Sequence, residues 1–172
     1  MLVDAGVQTV VDVRQFPGSE RELPFAAGRF APTLADAGIG YIHLAGLGGR
    51  RRADPASPHT ALRIPALRAF ADHLTTDAFV AGYARLREIA AGAPTAILCS
   101  ERLWWRCHRR IIADRLTVDG RTVTHLLGPK KREPHRMWGA ARVVDGQLIY
   151  DHDGPTNAVD PTPGEGLTEG SD

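Results

Sequence analysis

The spacing of hydrophobic positions changes period several times along the chain. Val7-Gln8-Thr9-Val10-Val11-Asp12-Val13 is a β-branched, nearly continuous apolar run, the pattern of a parallel strand buried on both faces. Ahead of it, Met1 to Gly6 reads as the last turn of a helix closed by Gly6. Residues 14–27 are broken by Pro17, Gly18 and Pro24 and read as a loop. Phe30, Leu34 and Ala37 recur at helical spacing in Arg29–Ala37, and Gly38 stops that helix. Tyr41–Leu44 predicts a second short strand, ending at Gly46-Leu47-Gly48-Gly49. Pro65 suits the first position of a helix over Ala66–Leu74. Phe79, Tyr83, Leu86 and Ile89 make one stripe of a longer amphipathic helix over Asp77–Ala91. Thr95–Cys99 predicts a third strand, Cys107–Leu116 a further helix and Thr122–Leu126 a fourth strand. Asp145-Gly146 between Val143-Val144 and Leu148-Ile149-Tyr150 is a hairpin signal.

Alternating strands and helices predict an α/β fold: an open, mostly parallel sheet with helices on both faces, in Rossmann-like layering. The pattern divides the chain into an α/β domain over residues 1–127, a basic linker and β-hairpin over 128–152, and an acidic tail over 153–172. The tail has almost nothing to bury and is expected to be disordered.

Composition narrows the class. Of 172 residues, 43% are hydrophobic and 24% charged, which fits a soluble globular protein and excludes fibrous or wholly disordered ones. The longest apolar runs are too short to span a bilayer, and residues 1–15 lack the pattern of a secretory signal. Two cysteines, Cys99 and Cys107, are too few for a disulfide scaffold. A reducing, cytoplasmic setting is expected, with no membrane partner.

The formal charge of +1 conceals a division. Residues 151–172 carry six acids and no Lys or Arg, so residues 1–150 carry 21 basic and 14 acidic side chains, a net of +7. Residues 100–136 alone hold ten basic and four acidic residues. Excess positive charge points to an anionic small molecule or nucleic acid as partner.

Ligands of open α/β sheets bind beyond the carboxyl ends of the strands. Three segments fall there. Cys99-Ser100-Glu101 leads through Trp104-Trp105-Arg106 to Cys107-His108-Arg109-Arg110 at a predicted helix start, where unpaired N–H groups and the helix dipole attract anions. The same field makes a cysteine thiolate more available. Cys99 is either such a thiol or a small buried residue closing its strand. Asp12 and Arg14, at the end of the first strand, either pair with each other or face a ligand. His43 precedes Gly48 and Gly49, which permit close backbone approach to a ligand, and Arg50 follows them. The spacing Cys99-x7-Cys107-His108 departs from the usual zinc-ligand spacing, so no metal or other cofactor is expected.

Several segments together resemble the domain-of-unknown-function family 488 (DUF488). They are Val11-Asp12-Val13-Arg14-Gln15-Phe16-Pro17-Gly18-Ser19, then Ala37 to Leu44, then Leu47-Gly48-Gly49-Arg50. Leu98-Cys99-Ser100-Glu101 followed by Cys107-His108-Arg109-Arg110 resembles the family's best-marked pattern, and Val123-Thr124-His125-Leu126 its last strand. The resemblance implies a small α/β protein. It also implies that the family's first strand is missing ahead of Leu2, which would leave a sheet edge exposed. Its marked positions fall on the three strand-end segments already singled out from charge and topology.

Two kinds of function follow. One is an enzyme on a phosphorylated or nucleic-acid substrate. Glu101 or His108 would be its general acid/base, Cys99 or Cys107 its nucleophile, and Asp12, Arg14, His43, Gly48, Gly49, Arg50, Arg106 and Arg109 its binding residues. A sulfurtransferase variant resembles the rhodaneses, with Cys99 carrying a persulfide and Arg106 holding the substrate anion. The other is a nucleic-acid-binding or regulatory module without catalysis. It would use Arg50–Arg52, Lys130–Arg132 and the Trp104-Trp105 pair, and the acidic tail would compete for the basic surface.

Overall fold

The computed structural model describes residues 1–18, 25–52 and 54–152. The expected disordered tail therefore lies outside the described residues. A mixed α/β architecture forms around a three-stranded parallel sheet of β1 (Thr9–Asp12), β2 (Gly40–His43) and β3 (Thr95–Leu98). Their order is β2-β1-β3, with Thr9 level with both Gly40 and Thr95. The chain thus leaves β1 toward β2 and later returns to β1's other side. The direction of chain progression changes at β1, and open α/β sheets hold ligands beyond the carboxyl ends of the strands at such a point.

Strand alternation explains the packing. Val10 points to one face, against Leu34 of α1 (Ala27–Asp36) and Ile39. Val11 and Val13 point to the other. They join Leu67 and Phe70 of α2 (Pro65–His73), Phe79 and Leu86 of α3 (Asp77–Gly92), and Ile111 and Ile112 of α4 (Arg109–Val118). Burial on both faces is why β1 reads as an unbroken apolar run. Pro65 opens α2, and Thr76 caps α3 by accepting the Phe79 N–H through its side chain.

The fourth strand differs from expectation. β4 (Thr124–Leu126) does not join the parallel sheet but pairs antiparallel with β5 (Arg132–Pro134), inside the stretch read from sequence as linker. Pro129 and the basic cluster had masked a strand of only three residues. Among the described residues no strand pairs with the outer edge of β3, and a cavity of about 830 Å3 adjoins both β3 and β4. The C-terminal hairpin forms as expected from β6 (Ala141–Val144) and β7 (Gln147–Tyr150). Asp145 and Gly146 turn it with φ of 49° and 77°, values that suit this residue pair. The helix expected from Cys107 begins at Arg109, because Trp104–Arg106 forms a short 3-10 turn and Cys107 is extended. No helix among the described residues is long and apolar enough to cross a membrane.

Polar ties join these layers. The Asp114 carboxylate of α4, fully buried, accepts from Tyr150 Oη at 2.8 Å and faces His135 Nε2 at 2.9 Å. His125 Nε2 lies 2.9 Å from His135 Nδ1, and the His125 ring stacks on Trp104 at 3.7 Å between centroids. His73 Nε2 donates to the Gly46 carbonyl at 2.8 Å and its Nδ1 accepts from the Thr76 hydroxyl.

Burial holds His59, His73 and His125 in the neutral form, His125 down to about 3, where His135 and Arg109 add to the effect of burial. An unfolded imidazole titrates near ~6.5. Stability from these rings is complete above that value and falls as pH drops from it toward the folded one, because the unfolded chain takes up the protons first. The melting temperature is expected to fall between about pH 7 and about pH 5. His125→Asn removes about 1 kcal/mol of that loss. Thermal denaturation followed by circular dichroism at several pH values measures it, and an unaltered pH slope in the variant would remove His125 as a source.

Candidate functional site

The site is assembled where the parallel ladder runs out. Val13 still donates its N–H to the Leu98 carbonyl at 2.9 Å, but its own carbonyl has no strand partner. His108 supplies one, with Nε2 3.0 Å from Val13 O across 95 residues of chain. The Nε2 proton is therefore committed to a backbone acceptor, and in the neutral ring the lone pair lies on Nδ1. Nδ1 faces two sulfurs, Cys107 Sγ at 3.6 Å and Cys99 Sγ at 4.0 Å.

Local structure brings those sulfurs together. Cys99 follows β3 directly, and its side chain packs with Ile97 on the same face of the sheet as Val13. The 3-10 turn and the extended Cys107 then reverse the chain so that His108 becomes the residue before α4. Cys107 and His108 are buried, whereas Cys99 is half-buried. Arg109 donates from Nε to Cys107 Sγ at 3.4 Å, and from its terminal nitrogen to the Glu101 carbonyl. The Cys107 thiol donates toward Cys99, and this outweighs burial and holds Cys99 well below the usual thiol range, with His108 adding to the effect. Cys107 is pushed up by the same bond and by burial.

The other residues singled out from the sequence divide into two groups. Asp12 and Arg14 pair with each other rather than facing open solvent. Arg14 Nε and its terminal nitrogen lie 2.9 and 2.6 Å from the Asp12 carboxylate, and the Tyr41 hydroxyl donates to it at 2.6 Å. Burial would raise the Asp12 carboxyl, but the bonds from Arg14 and Tyr41 prevail and lower it. Burial and the adjacent Asp12 push Tyr41 up to about 12. Arg14 also donates to the Phe25 carbonyl at 2.7 Å. His43 Nε2 lies 2.8 Å from the Arg14 carbonyl. Gly48 and Gly49 do allow close approach, to the protein's own Gln15 and His108. A Cβ on Gly49 would fall inside the contact shell of His108 Nδ1, Cγ and Cε1, so the bare backbone is what lets the ring face stay where it is.

Glu101 is exposed and accepts the Leu103 N–H at 3.0 Å, so its carboxylate serves its own loop. Arg50 and Arg106 are exposed and carry no ion pair among the described residues. The first-turn N–H groups of α4 do not project freely: Arg110 N–H bonds to Cys107 O, and Ile111 N–H to His108 O. Trp104 is buried against His125, so of the tryptophan pair only Trp105 retains partial exposure. Sequence reasoning missed the His125–His135–Asp114 chain. A lone histidine in a short strand carries no signal of a partner ten residues later.

These features define a class: a small α/β protein with a thiol–imidazole cluster beyond the carboxyl ends of parallel strands. The chain belongs to the DUF488 family, described as "Domain of unknown function DUF488", which matches residues 1–116. No curated protein and no solved structure matches it.

Gly49→Ala is expected to cost about 1–3 kcal/mol in chemical denaturation, by displacing the imidazole. Gly28→Ala, where a Cβ meets nothing within 4 Å, should cost nothing. Equal stability of the two variants would remove the Gly49–His108 contact as a constraint.

Proposed function

We propose that the cluster of Cys99, Cys107 and His108, between the loops after β1 and β3, is a thiol-centred active site for an anionic substrate, with Cys99 as nucleophile and His108 as its base. One observation carries this reading: His108 presents Nδ1 to the sulfurs while Nε2 is held by the Val13 carbonyl. A base must be oriented as well as near, and here the backbone does the orienting. Cys99 is the accessible sulfur of the two, and Cys107 lies behind it as a hydrogen-bond donor. Arg50, next to Gly49, and Arg106, next to Cys107, supply exposed positive charge for a phosphate or carboxylate group. In such a reaction the Cys99 proton rests on His108 Nδ1, the Cys99 thiolate attacks the electrophilic centre, and His108 gives that proton to the leaving group.

Two alkylating agents test both halves. In reduced protein at neutral pH, iodoacetamide should modify Cys99 before Cys107, and His108→Gln should slow the Cys99 reaction by about 100-fold. Anionic iodoacetate should gain on neutral iodoacetamide at low salt, and Arg106→Glu should abolish that gain. Alkylation of Cys99 at a free-thiol rate, unaffected by His108→Gln, would end the nucleophile reading; equal preference for the two agents would end the anion reading.

A further inference from the structure

We propose that Cys99 Sγ, Cys107 Sγ and His108 Nδ1 form a three-donor site for a soft divalent cation of the zinc class, with a fourth position open on the Cys99 side. The proposal builds on the reading of this cluster as the functional site, and adds a ligand that would hold Cys99 back from attack.

The first argument is one of counting. A neutral imidazole offers one lone pair, and that lone pair can accept one S–H. Two sulfurs nevertheless converge on the same nitrogen, at 3.6 and 4.0 Å. The Cys107 thiol turns instead to Cys99, and a cation between the three atoms would replace the protons and engage all three at once.

The second argument is distance. Tetrahedral zinc with bonds of about 2.3 Å to sulfur and about 2.0–2.1 Å to nitrogen separates S from N by about 3.5 Å and S from S by about 3.8 Å. The three donor atoms here all lie within 4.8 Å of one another. Side-chain movements of less than about 1 Å would bring them to those values.

The surroundings fit as well. A metal-bound histidine commonly gives its other N–H to a carbonyl or carboxylate, which fixes tautomer and ring plane. His108 does this to Val13 O at 3.0 Å, and Gly49 backs the ring face. The guanidinium of Arg109, donating to Cys107 Sγ, compensates thiolate charge from outside the donor set. The donors are two sulfurs and one nitrogen with no carboxylate, which selects zinc-like ions over magnesium or calcium. Cys107 and His108 are buried while Cys99 is half-buried, so an open coordination position would lie on the Cys99 side. Chain spacing concealed this, because Cys99 and Cys107 are brought together by the 3-10 turn and not by a short ligand loop.

The test uses the full chain, reduced and stripped of metal with a chelator, then titrated with zinc against a chromophoric competitor. One zinc per chain is expected, with Cys99→Ser, Cys107→Ser and His108→Gln each weakening binding at least about tenfold and exposed Glu88→Gln leaving it unchanged. Cobalt added to the unaltered protein should give thiolate-to-metal charge-transfer absorption, a readout that needs no variant to fold. Zinc should also slow iodoacetamide modification of Cys99. Absence of both stoichiometric zinc binding and the cobalt band would overturn the proposal, as would zinc binding indifferent to all three substitutions. A reactive Cys99 in a protein that binds no zinc defeats this inference alone. Zinc binding with an ordinary, unreactive Cys99 defeats the nucleophile reading and leaves this one standing.

Discussion

The carbonyl oxygen of Val13 governs how the end of the parallel sheet is closed. It is the first acceptor of β1 without a strand opposite it, and His108 takes the place of the missing ladder donor. That bond anchors the start of α4 against the end of β1. It also leaves His108 with only one free nitrogen, and turns that nitrogen toward the sulfurs. The neighbouring carbonyls obey the same need for partners: Asp12 O accepts from the Leu44 N–H, and Arg14 O is met by His43. Two imidazoles thus finish what two strands leave incomplete, and only one of them faces sulfur.

Charge is sorted by the same geometry. The arginines that crowd the strand ends in sequence are not equivalent in space. Arg14 is buried and tied to Asp12, Tyr41 and the Phe25 carbonyl, which fixes the turn after β1. Arg109 bridges Cys107 to the Glu101 backbone. Arg110 lies over the Trp138 ring at 4.3 Å. Arg50 and Arg106 remain at the surface, where a fixed positive charge acts on whatever approaches. A buried ion pair such as Asp12–Arg14 is costly to break from one side, so it holds a loop more reliably than it binds a passing ligand.

Much of the parallel core was legible because each strand and helix carries its own local pattern. Val10, Val11 and Val13 announce a strand with two dry faces, Pro65 marks a helix start, and Asp145-Gly146 marks a turn. The strand-end position of the three loops was legible too, since it follows from topology. What was less legible is partnership. Asp12 and Arg14 read equally as a pair or as two ligand contacts, and nothing tells Glu101 that the Leu103 N–H will occupy it. The three donors Cys99, Cys107 and His108 look badly spaced along the chain and well spaced in the fold, because the intervening turn folds back. The same holds for β4, whose residues suit a strand but whose partner is set by Arg132–Pro134 and not by the sheet.

Asp114 gives the C-terminal segments a place in the cooperative unit. The family match ends at residue 116, within α4, yet this carboxylate draws its partners from beyond that point: His135, the Trp138 N–H and Tyr150. The two antiparallel hairpins share no strand with the parallel sheet. They are nonetheless wired to its principal helix through one fully buried anion. Detaching them would strand that anion in an apolar interior, a penalty far larger than the loss of a few surface contacts. Fraying from residue 150 inward is therefore coupled through Asp114 to α4, the helix that His108 precedes.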